Sequence, residues 1–129
     1  MTKEEHIQYW LDSAYEDFEA AKEIIANNRR KHFALFLGHL YIEKLLKALF
    51  VKQFDQVPPY KHDLYILASK CGIVLTNVQI ENLKIINEFN IQARYPDYKN
   101  DFYKKCTNDF VHREIERIKE TAKWIRILL

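Results

Sequence analysis

Glycine and proline are scarce in this chain, with two Gly and three Pro among 129 residues. That argues against a loop-rich or disordered protein and favours long helices, whose interiors suffer most from both residues. Cysteine is scarce as well. Cys71 and Cys106 show neither a CxxC pair nor a Cys/His ligand spacing, so reduced thiols are expected rather than a disulfide framework or a zinc site. No apolar run approaches a bilayer span, and the opening MTKEEHIQYW lacks the apolar centre of a signal peptide. A cytoplasmic protein with no membrane contact is the expectation. Charge of one sign is also lacking: a net +2 excludes a dedicated nucleic-acid polycation. RNA binding would need a local cluster or an oligomer, and it is not favoured.

What the chain does have is 48% hydrophobic content, enough in 129 residues to bury the core of one domain. Thr2 followed by Glu5 fits a capping box, and Ile7, Leu11, Ala14, Phe18, Ala21 and Ile25 then recur in a four-three stripe. A second helix is expected from about Lys31 to Phe54, apolar almost all round and therefore central. Pro58 and Pro59 break the pattern. Asp63 can cap a short helix ended by Gly72, and Thr76 with Gln79 opens another through about Gln92. Pro96 pushes Tyr95 out of helical geometry, so residues 93–101 read as a structured connection. The last helix starts near Asn108, with Val111, Ile115, Ile118, Ala122, Ile125 and Leu129 inward and Arg113, Glu116, Arg117, Glu120 and Lys123 outward. The expected fold is all-α: an up-and-down antiparallel bundle of four long helices plus one short one.

Three polar side chains interrupt the central helix. His39, Glu43 and Lys47 follow at steps of four and form one stripe. Burying such groups unpaired costs roughly 2 to 7 kcal/mol each for neutral ones alone. The stripe must therefore be satisfied by partners as an internal ion-pair network, meet solvent as a Glu43–Lys47 pair on an exposed seam, or form the polar wall of a groove, with Lys44 one step round. His39 and Glu43 lack a third ligand at fitting spacing, so no metal and no cofactor is expected. Lys61-His62-Asp63 reads as a helix start, capped by Asp63, or as part of a site. In ARYPDY, residues 93–98, Arg94 and two tyrosines flank a proline. Guanidinium and phenol suit phosphate and base recognition, while Arg94 pairing an internal carboxylate such as Glu43 is the alternative. Arg29-Arg30-Lys31-His32 forms a basic cluster, and Tyr103, Lys104 and Lys105 add a weaker one.

The order of these motifs resembles the HEPN domain family over nearly the whole chain, residues 1–129. Trp10, Ala14, Asp17 and Ala21 come first, then EKLLKALF from Glu43 to Phe50, HDL from His62 to Leu64, and ARYPDY from Ala93 to Tyr98. The resemblance implies a helical bundle that is usually a homodimer. Many prokaryotic members of that family are encoded beside a minimal nucleotidyltransferase and act with it as a toxin–antitoxin pair, so the resemblance points to such a partner. Active members are metal-independent ribonucleases with an Arg and a His four to six residues later. Here Arg94 is followed by Tyr95, Pro96, Asp97, Tyr98, Lys99, Asn100 and Asp101, with no His. The RYPDY form resembles a branch without the nuclease signature, and Lys99 is a poor proton exchanger near neutrality.

The function expected on these grounds is a non-catalytic bundle that dimerises and binds a nucleotide or a nucleotidyltransferase partner. Arg94 would hold a phosphate and Tyr95 or Tyr98 would stack. His39, Glu43, Lys44, Lys47, His62 and Asp63 would complete the cleft. Dimerisation is also suggested by eight Phe and eight Tyr, more rings than one small core absorbs. The alternative is a divergent ribonuclease toxin using His39 or His62.

Overall fold

The computed structural model describes the backbone throughout and all side chains except those of residues 96–99. Six helices follow in order: α1 (Lys3–Ala26), α2 (Lys31–Phe54), α3 (Leu64–Lys70), α4 (Asn77–Arg94), α5 (Pro96–Lys105) and α6 (Asn108–Leu128). There is no strand among the described residues. Local chemistry sets most helix starts. The hydroxyls of Thr2, Thr76 and Thr107 and the carboxylate of Asp63 each accept from a backbone N–H one turn on. At Thr76 the box is complete, because the Gln79 side chain accepts from the Thr76 N–H in return.

α2 is the axis of the bundle and packs against all five other helices. Leu35, Ile42, Leu45, Leu46 and Leu49 along it are fully buried, and the first four share one core cluster with Leu83 and Ile86 of α4 and Ile118 and Ile125 of α6. Burying each such side chain contributes about 1.5 to 3 kcal/mol. Gly38 lets α6 come close: a β-carbon there would collide with Ile118 Cδ1.

Two sequence expectations are corrected. The connection expected over residues 93–101 is instead the end of α4 followed at once by ten-residue α5. Tyr95 is extended, as the residue before proline should be, but Pro96 then occupies the first turn of a new helix. The same proline therefore ends one helix and starts the next. Arg117, expected on the solvated face of α6, instead ties α6 to α4. Its Nε donates to buried Glu114 Oε2 at 2.6 Å and its Nη1 to Asn82 Oδ1 at 2.5 Å.

Candidate functional site

The polar stripe of α2 is inside the protein, not on an exposed seam. His39 is 1%, Glu43 4% and Lys47 6% exposed. It is satisfied because the segment before α3 folds back over α2 and brings His62 against it. Glu43 Oε1 accepts from His62 Nδ1 at 3.0 Å, and Oε2 accepts from Lys47 Nζ at 3.0 Å. The Lys47 ammonium also lies 5.2 Å from the centre of the Trp10 ring on α1, a cation–π contact that helps offset its desolvation. Glu43 thus joins a buried cation to a histidine whose side chain is 65% exposed.

His39 belongs to a second, uncharged chain of hydrogen bonds. Its Nε2 lies 2.9 Å from the His62 carbonyl oxygen, which can only accept, so Nε2 carries the proton. Its Nδ1 then accepts from Asn90 Nδ2 at 3.3 Å, and Asn90 Oδ1 accepts from Arg94 Nη1 at 3.3 Å. Each of these contacts pairs a donor with an acceptor. Burial pushes the His39 imidazolium down to about 4, outweighing the nearby Glu43 carboxylate and the bond to the His62 carbonyl, which favour the charged form. The 3.9 Å approach of Nδ1 to Glu43 Oε1 is accordingly not an ion pair at neutral pH.

Of the residues picked out from the sequence, His39, Glu43, Lys47, His62 and Arg94 are therefore drawn into one connected polar line. Arg94 sits at its exposed end and is bound to Asn90, not to Glu43. Lys44 turns away and pairs with Asp17 of α1 at 2.6 Å. Asp63 caps α3 through the Ile66 N–H. Tyr95 is exposed beside Arg94. The side chain of Tyr98 lies outside the described residues. Three participants were missed: Trp10, Asn90 and Asn87, whose Oδ1 accepts from the Leu64 N–H at 2.8 Å. The signal for the two asparagines was the untidy inner stripe of α4, where they alternate with Ile86 and Phe89. Among the described residues no group of His, Cys, Asp and Glu could hold a metal.

A model of the HEPN domain family matches residues 7–128. The chain belongs to the HEPN family. Among solved structures, the protein TT1696 from Thermus thermophilus is similar to this HEPN chain, with a TM-score of 0.81 at 18% identity. The likeness covers 96% of this chain and 98% of that one, and at this identity it speaks for the fold alone. No curated protein matches the chain.

Proposed function

We propose that this HEPN chain is a non-catalytic bundle that acts as a cytoplasmic homodimer and binds a nucleotide or a minimal nucleotidyltransferase partner, as in a toxin–antitoxin-like pair. The observation that carries this reading is the state of Arg94. Its guanidinium is exposed and braced on one side by Asn90, and it is not spent on neutralising Glu43. A permanent charge held in place by a neutral network is suited to a phosphate or a partner carboxylate. Tyr95 supplies an exposed ring beside it, and Tyr98 is the second stacking candidate of the same sequence motif. Glu43 and Lys47, being buried, support this surface from behind.

The absence of catalysis is supported by His39. Both its ring nitrogens are committed and its proton affinity is depressed, so it is a poor acid or base at neutral pH. One observation favours a second reading. His62 donates Nδ1–H to the buried Glu43 carboxylate while its ring remains largely exposed, an arrangement that orients an imidazole for proton transfer. A ribonuclease built on His62 would cleave single-stranded or transfer RNA without metal, and His62→Ala would abolish the cleavage. Intact RNA is expected.

Titration calorimetry of the purified chain with mononucleotides, and with a minimal nucleotidyltransferase, tests binding. Light scattering tests the dimer. Saturable binding and a mass near twice 15.6 kDa are expected. A monomer at tens of micromolar with no ligand or partner would refute the reading.

A further inference from the structure

At the end of the bundle where α1 stops and α6 starts, the two helices leave a groove of about 430 Å³ between them. That size falls within the roughly 300 to 1,000 Å³ of small-molecule sites. Its floor is aliphatic: α1 supplies Ile25 and Ala26, and α6 supplies Val111 and Ile115. Val111 and Ile115 are four apart, on one stripe of α6, and both are buried, so the floor is recessed. Lysines stand at both ends. Lys22 lies one turn before this floor on α1, Lys119 one turn beyond it on α6, and Lys31 is tied to Asn108 at the start of α6. The two ends differ in charge balance. Lys22 pairs with Glu19 at 2.6 Å and lies over the Phe18 ring, and Lys119 pairs with Glu116 at 3.4 Å. Lys31 donates to a neutral group, Asn108 Oδ1, and makes no ion pair among the described residues. Arg29, Arg30 and Lys104 share a second cavity with Lys31, and no carboxylate occurs among the described residues lining it. The Lys31 end of the groove therefore carries unbalanced positive charge.

We infer that this groove binds a medium-chain aliphatic carboxylate, with its tail along Ile25, Ala26, Val111 and Ile115 and its head on the Lys31 ammonium. A purely polar anion would gain nothing from the floor, and a neutral hydrocarbon nothing from Lys31. A fatty carboxylate uses both, through a charge-assisted hydrogen bond at the head and removal of methylenes from water along the tail. From Asn108 to Lys119, α6 rises roughly 16 Å, which leaves room for an extended chain of that class. The groove shares no residue with the polar line from His39 to Arg94, and the inference does not depend on the reading given to Arg94.

The test is titration calorimetry with octanoate, decanoate and dodecanoate below their micelle-forming concentrations, with dodecyltrimethylammonium as the probe of opposite charge. One carboxylate per chain should bind. Each two methylenes added should tighten binding by about fourfold if half their surface is buried, and by about fifteenfold if all of it is. Lys31→Glu should weaken dodecanoate by about tenfold or more and erase the preference for the anionic probe. It opens α2 with an acid, which a helix start favours, so melting should not fall. Ala26→Trp, at an exposed position near the end of α1, should block the groove for every chain length at near-native melting temperature. Absence of saturable binding, affinity that does not rise with chain length, or equal binding of the cationic probe would overturn the inference. So would binding that neither substitution alters. Attachment to phosphatidylglycerol vesicles without binding of the dissolved acids would assign the surface to a membrane and overturn it as well.

Discussion

His39 should make this protein sensitive to mild acid. Its imidazolium is pushed from the ordinary 6.5 down to about 4 by burial, so the folded chain refuses a proton that the unfolded chain accepts. Wherever the unfolded state binds more protons, stability rises with pH. The contribution is therefore fully present above about pH 6.5 and is lost as pH falls towards 4. At about 1.4 kcal/mol per tenfold change in proton affinity, the loss is about 2 kcal/mol by pH 5 and about 3 kcal/mol by pH 4. Groups remote from His39 titrate alike in wild type and in His39→Gln, so the difference between the two chains isolates this term. Urea unfolding followed by circular dichroism at pH 7.5 and pH 5 measures it. The wild type should lead by about 2 kcal/mol more at pH 7.5 than at pH 5. An unchanged gap would mean that His39 is solvated or already charged, and that the chain from Arg94 through Asn90 to His39 is not as described.

Two further outcomes follow from the same interior. Glu43→Ala strands the buried Lys47 ammonium and should cost roughly 3 to 5 kcal/mol in urea unfolding, whereas Lys47→Met with Glu43→Leu together should cost far less. The thiols of Cys71 and Cys106, which burial pushes up to about 12 and about 11, should not react with a disulfide reagent at pH 8 until the chain is unfolded.

Much of the fold was legible because its signals are local. The Thr2, Asp63 and Thr76 caps and the apolar girth of α2 each depend on residues within a few positions of one another. α5 was not legible. Its sequence PDYKNDFYKK is polar, and of its described residues only Phe102 is buried, so no stripe announces a helix. Pro96 reads as a stop as readily as a start. The site divides along the same line. The stripe His39, Glu43, Lys47 follows from a spacing of four, but its burial depends on His62 arriving from a loop, Asn90 from α4 and Trp10 from α1. Those meetings are set by how the helices pack, which no short window of sequence contains. Arg117 was misplaced for the same reason: its partner Asn82 lies on another helix.

The central claim is that Arg94 is a binding group rather than a structural one. It is tested most directly by measuring melting temperature and ligand affinity together, for wild type and Arg94→Ala, with the nucleotide or nucleotidyltransferase that the wild type binds. Removing one charge-assisted contact should weaken binding by about 1.5 to 3 kcal/mol while melting stays near native, because Asn90 loses only one exposed partner. A large fall in melting temperature, with no ligand or partner found for the wild type, would make Arg94 part of the architecture and contradict the claim.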